Sequence, residues 1–124
     1  MLQKILVVDD QAYLLSMIVE ALQLAGDYDV EQASNGKEAI DKYKDFQPDL
    51  VVMDIEMPVM DGYESSSKIK SFDPSARILV LTGNPGDFRA RKSLEEGLAL
   101  TLLKKPIKLL DLNRIVKESL CAHA

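Results

Sequence analysis

A chain of 124 residues is long enough for one domain and too short for two. Apolar residues make up 47% and charged residues 28%, an ordinary soluble composition, and no apolar run approaches the ~18 residues of a membrane helix. Fifteen basic against 20 acidic residues leave a net charge of −5, which argues against nucleic-acid binding, and the single Cys121 excludes an internal disulfide. With no secretory signal pattern at the N-terminus, the expectation is a cytoplasmic protein that binds neither nucleic acid nor membrane.

The first short apolar run, Lys4 to Val8 (K-I-L-V-V), ends on Asp9-Asp10 and predicts a strand. From Ala12 to Leu24 the apolar residues Leu15, Ile18, Val19 and Leu22 recur at helical spacing, with Gly26 as the stop. Tyr28 to Ala33 reads as a strand at a sheet edge, because Glu31 and Gln32 are polar. Asn35-Gly36 marks a turn, and Lys37 to Phe46 a helix ended by Pro48.

Leu50 to Met53 is too short for a helix and rich in β-branched residues, so it predicts a strand buried on both faces and ending on Asp54. A loop with Glu56, Pro58, Asp61 and Gly62 follows, then a helix from Tyr63 to Phe72 with Ser65, Ser66 and Ser67 in its middle. Arg77 to Leu81 is the fourth strand and ends on Thr82. Asn84 and Pro85 are the expected N-cap and first residue of a helix that runs to about Glu96. Leu98 to Leu103 is the fifth strand, ending on Lys104-Lys105-Pro106, and Lys108 to Cys121 the last helix, with a short tail at 122–124 that includes His123.

Alternating strands and helices imply an α/β fold: a parallel five-stranded sheet, helices on both faces, right-handed crossovers. The flavodoxin-like, doubly wound (βα)5 arrangement in strand order 2-1-3-4-5 fits, with the switch point between strands one and three. Asp9-Asp10 and Asp54 then meet at one crevice. Three carboxylates at that distance disfavour one another's ionisation, so the cluster needs cations. Lys105 offers one. A hard divalent ion, Mg²⁺ (or Mn²⁺ in its place), offers the other, since no His or Cys is placed as a soft-metal ligand. Thr82 adds a hydroxyl. Mg²⁺, lysine and hydroxyl together stabilise a transferring phosphoryl group, and Asp54, ending the central strand, is the carboxylate placed to accept it.

These residues resemble a known family over essentially the whole chain. Val7-Val8-Asp9-Asp10, Asp54 followed by Met57-Pro58 and Asp61-Gly62, Leu81-Thr82-Gly83, and Lys105-Pro106 are similar to the receiver domains of two-component response regulators, the CheY-like, stand-alone kind. The 2-1-3-4-5 order is the family's own, so the two readings are not independent. The resemblance implies that Asp54 takes a phosphoryl group from a phosphohistidine on a sensor histidine kinase or histidine phosphotransfer protein. It implies Mg²⁺ held by Asp10, Asp54 and the backbone carbonyl of Glu56, with Asp9 acting through water. Thr82 and Lys105 would contact the phosphoryl oxygens, the Lys105-Pro106 peptide would be cis, and Glu56 and Asn84 would modulate the phosphoryl lifetime. The protein would be a signalling phosphoacceptor rather than an enzyme, one that promotes its own phosphorylation and dephosphorylation.

Three departures from the family pattern stand out. Leu102 occupies the place of the usual Tyr or Phe three residues before the lysine, so a switch made of Thr82 and Leu102 has no ring or hydroxyl to swing. The run from Gly97 to Lys105 is one residue longer than usual, and Lys105 is assigned to the site over Lys104 because it precedes Pro106. Ser66 and Ser67 replace apolar residues, which predicts a third helix held less tightly than its neighbours.

A downstream partner is expected on the face built by the fourth helix, the fifth strand and the last helix, where Arg89, Arg91, Lys92, Lys104, Lys108, Arg114 and Lys117 cluster. The pattern does not decide whether Phe88 is buried. Two related roles stay open: an intermediate that passes the phosphoryl group to another histidine, and a receiver-type module that binds without being phosphorylated. A haloacid-dehalogenase-type phosphatase would need a second Asp where Glu56 stands, and Asp9-Asp10 would repel the phosphate of a flavin.

Overall fold

Strand backbones that are apolar at every position can fold only where both faces are covered, and the central strands are. The computed structural model describes residues 2–121; the predicted tail with His123 lies outside them. The elements are β1 (Gln3–Val8), α1 (Ala12–Ala25), β2 (Tyr28–Ala33), α2 (Gly36–Phe46), β3 (Leu50–Asp54), α3 (Gly62–Phe72), β4 (Ile78–Thr82), α4 (Phe88–Glu95), β5 (Thr101–Lys104) and α5 (Leu109–Cys121). The five strands form one parallel sheet in the order β2-β1-β3-β4-β5. β3 and β4 are buried throughout, and the polar β2 lies at an edge, as its sequence predicts.

The two-residue period of a strand sorts the core into two layers. Ile5, Val7, Val52, Leu79 and Leu81 point toward α1 and α5, against Leu15, Ile18, Leu22, Leu112 and Val116. Leu6, Val8, Val51, Met53 and Val80 point the other way, against Ala39 and Tyr43 of α2, Ile69 of α3 and Ala90 of α4. Asn35 and Asp61 cap α2 and α3, each side chain accepting from the backbone N–H three residues on at 2.8 Å. Among the described residues no helix is long and apolar enough to cross a membrane.

The structure corrects two boundaries. Asn84 does not cap α4; its side chain accepts from the Gly86 N–H at 3.0 Å and builds a turn, which delays the helix until Phe88. Asp87 is the cap, its Oδ1 accepting from the Arg89 and Ala90 amides at 2.8 and 3.2 Å. β5 begins at Thr101, not Leu98. Gly97 turns the chain at φ +74°, and the Leu98 and Ala99 amides donate to the Ser93 carbonyl, closing the end of α4 before pairing starts. Phe88 is exposed.

Candidate functional site

Because β1 and β3 are hydrogen-bonded neighbours with Val8 opposite Met53, the residues that follow them come out side by side at the carboxyl edge of the sheet. Asp9 and Asp54 are buried there and Asp10 is exposed. One carboxylate oxygen from each lies within 4.8 Å of the others. A cavity of about 180 Å³ opens between Asp10, Gln11, Asp54, Glu56, Gly83 and Lys105.

Lys105 enters the site and Lys104 stays exposed outside it, as the sequence assignment required. The Lys105 ammonium is 2.9 Å from Asp54 Oδ1 and 3.2 Å from Asp9 Oδ2. Its backbone N–H donates to the Thr82 carbonyl at 2.8 Å, and the Lys105-Pro106 peptide is cis. Each Asp9 oxygen has a partner: Oδ1 accepts from the Gln11 N–H at 2.9 Å and Oδ2 from Lys105 at 3.2 Å. Burial raises the Asp54 carboxyl to a pKa of about 6; hydrogen bonding to Lys105 opposes that rise, and the charge of Asp9 adds to it. Burial pulls the Lys105 ammonium down, but its hydrogen bond and charge attraction to Asp54 prevail and the net shift is upward.

The acidic cluster suits a hard cation. Asp54 Oδ1 is buried with the Lys105 ammonium 2.9 Å away. One ammonium shared by the buried Asp9 and Asp54, with Asp10 beside them, leaves net negative charge that a further cation would offset. Asp10 and Asp54 can hold it, and Glu56 lines the same cavity; Asp9 offers an oxygen to the cluster too, each of its oxygens already having one partner.

Thr82 is buried, and its hydroxyl is turned toward the following loop. It donates to the Asn84 carbonyl and accepts from the Asn84 N–H, both at 3.0 Å. Leu102 is half-buried against the α2–α4 side of the sheet, opposite Val80, with no polar contact. Of the sequence-assigned residues, Asp9, Asp10, Asp54, Glu56 and Lys105 converge. Thr82 and Asn84 stand at the rim bonded to one another, and Leu102 and Pro106 lie outside the cavity. Sequence reasoning missed Gln11 and Gly83 in the lining. Each directly follows an assigned residue, which is the one signal that could have found them.

A family model described as the response regulator receiver domain matches residues 5–117. The chain belongs to the response regulator receiver family. It is 32% identical over 118 residues to the chemotaxis protein CheY of Thermotoga maritima, covering 93% of this chain and 98% of that one. A CheY-like receiver from Methanospirillum hungatei superposes with a TM-score of 0.91 at 30% identity, over 98% of this chain and 96% of that one. The response regulator TrrA of Thermotoga maritima, solved in complex with Mg²⁺ and beryllofluoride, superposes at 0.83 with 33% identity, over 95% and 99% of the two chains. Receivers are phosphoacceptors of two-component signalling and bind Mg²⁺ at an acidic pocket; in this chain Asp9, Asp10 and Asp54 form an acidic cluster at the carboxyl edge of the sheet.

Proposed function

We propose that this receiver acts as a response regulator. Asp54 accepts a phosphoryl group from the phosphohistidine of a sensor histidine kinase or histidine phosphotransfer protein, and the acyl phosphate alters binding of a downstream partner. The observation that carries the reading is the buried Asp54 carboxylate, 2.9 Å from Lys105 and within 4.8 Å of Asp9 and Asp10 oxygens.

In the step itself an ionised Asp54 oxygen forms a bond to phosphorus as the bond from phosphorus to the donor imidazole nitrogen breaks; that nitrogen keeps the electron pair. Asp10, Asp54 and the Glu56 carbonyl would hold Mg²⁺, with Asp9 engaged through water. When bound, Mg²⁺ supplies positive charge to the phosphoryl oxygens. Lys105, 2.9 Å from Asp54 and 3.2 Å from Asp9, would neutralise the acyl phosphate and keep Asp9 from repelling it. Thr82 reaches a phosphoryl oxygen only by giving up its donation to Asn84. The protein is a phosphoacceptor that promotes its own phosphorylation and later hydrolysis, not a turnover enzyme. The downstream partner binds the α4-β5-α5 face, where Arg114 and Lys108 flank half-buried Leu102 and Ile115.

Intact mass after incubation with acetyl phosphate and Mg²⁺ tests this. The wild type should gain one phosphoryl group and Asp54→Asn none. An unmodified wild type, or an equal gain on Asp54→Asn, would sink the mechanism.

A further inference from the structure

α4 is held unlike the other helices. Of its eight residues only Ala90 and Ser93, both small, are buried, while Phe88 and Leu94 face solvent at 74% and 44% exposure. A helix this short has little stability of its own, and two small side chains add little packing. Side-chain ties to α3 and to the loop before it do the holding. Tyr63 donates to Glu96 at 2.7 Å, the Lys92 ammonium sits 5.1 Å from the Tyr63 ring, and Arg89 Nη1 lies 3.2 Å from Asp61 Oδ2.

Arg89 is the informative one, because its guanidinium also contacts Asp87 Oδ1 at 3.4 Å. Each of its two carboxylates is tied by short backbone links to a residue of the phosphoryl site. Asp61 precedes Gly62, whose N–H donates to the Ile55 carbonyl at 2.9 Å. A Cβ on Gly62 would run into the Asp54 carbonyl oxygen, so Gly62 packs directly on the Asp54 backbone. Asp87 donates its N–H to the Asn84 carbonyl at 2.9 Å, the same oxygen that accepts the Thr82 hydroxyl at 3.0 Å. One guanidinium therefore joins the loop after Asp54 to the loop after Thr82. It is half-exposed and made of the longest polar contacts in the chain of links, so it yields first when the two loops move relative to one another.

We propose that Arg89 is a latch: by bridging Asp61 and Asp87 it fixes α4 while Asp54 is unmodified, and it opens when a phosphoryl group on Asp54 draws Thr82 off the Asn84 carbonyl. The latch supplies the route from site to surface that Leu102, with no ring or polar group, does not. Its trigger rests on Asp54 accepting a phosphoryl group, as proposed above; its closed state does not.

Hydrogen exchange of the α4 amides in the full chain tests both halves, with α5 as internal control. Without phosphoryl analogue, Arg89→Ala should speed α4 exchange about fivefold, the size expected of a half-exposed ion pair, and leave α5 unchanged. Asp61→Asn keeps the oxygen that caps α3 but removes the charge facing Arg89, and should give most of the same effect. The double variant should add little to either. Beryllofluoride with Mg²⁺ should speed α4 exchange in the wild type and add little in Arg89→Ala. Unchanged α4 exchange in Arg89→Ala, additive effects in the double variant, or no α4 response in a wild type whose residues 54–57 become protected would each overturn the latch. Absence of that protection at 54–57 would instead remove the phosphoacceptor reading, and the trigger with it.

Discussion

At Asp54, burial holds the carboxyl at a pKa of about 6, well above the ordinary aspartate value of 3.8, even with Lys105 beside it. A carboxyl raised on folding favours the folded state below the unfolded pKa, and that contribution is lost as pH climbs through the folded value. Ionised Asp54 therefore costs about 3 kcal/mol above pH ~7 when no divalent ion is present. In EDTA, Asp54→Asn should be more stable than the wild type by about 2–3 kcal/mol at pH 8. The gap should close between pH ~6 and ~4, read from urea midpoints across the range. A gap of the same size at pH 4 would show that charge is not its cause. Lys105 is the complementary case. Lys105→Ala leaves two buried carboxylates without their cation, so the metal-free protein should lose about 3 kcal/mol, while Lys104→Ala, at an exposed position, should change stability by less than about 0.5 kcal/mol.

At the scale of elements, the serines of α3 show how little a residue type says without its surroundings. Ser65 and Ser66 are both buried and Ser67 is half-buried. Ser65 donates to the Gly36 carbonyl at 2.8 Å and pins α3 to the start of α2, whereas the Ser66 hydroxyl has no partner. Ser65→Ala should destabilise by about 1 kcal/mol and Ser66→Ala should be neutral or stabilising, because the first loses a hydrogen bond and the second removes an unsatisfied buried oxygen. Equal destabilisation by both would mean that Ser66 is satisfied in solution. With Gly62 pressed on the Asp54 carbonyl and Ser65 anchored, the start of α3 is firmly seated. Ser66 and Ser67 predict a loosely held α3; Ser66 is unpartnered there, while α4 turns its large apolar side chains, Phe88 and Leu94, outward.

For the molecule as a whole, folding and site assembly are one event, since the carboxylates come together only when β1 and β3 pair. A ligand that binds only the assembled site must stabilise the fold. Mg²⁺ at a hundred times its Kd should contribute about 2.7 kcal/mol, raising Tm by about 8 °C for a domain of this size. Asp54→Asn should abolish most of that rise. Lys105→Ala should enlarge it, because Mg²⁺ then supplies the missing compensation for Asp9 and Asp54. Thermal melts with and without Mg²⁺ measure all three, and a Tm rise unchanged in Asp54→Asn would place the ion elsewhere.

Much of this was legible in the sequence, and for a physical reason. Strand and helix periods are local, so the element order, the doubly covered β3 and β4 and the polar edge strand β2 could be read from spacing. Once the strands are parallel and the crossovers right-handed, the ends of β1 and β3 meet, so the convergence of Asp9, Asp10 and Asp54 followed from the same pattern. The Lys105 assignment rested on its neighbour Pro106, again a local signal. What only the tertiary structure decided depends on contacts between distant segments. Asn84 gave up the capping role to Asp87 because a competing turn captured its side chain. Ser65 found a carbonyl 29 residues away while Ser66 found none. Arg89 reads as one charge on a solvated face until folding sets it between Asp61 and Asp87, which are 26 positions apart in the chain. Periodicity carries which side of an element is buried; it carries nothing about which polar group on that element meets which other one.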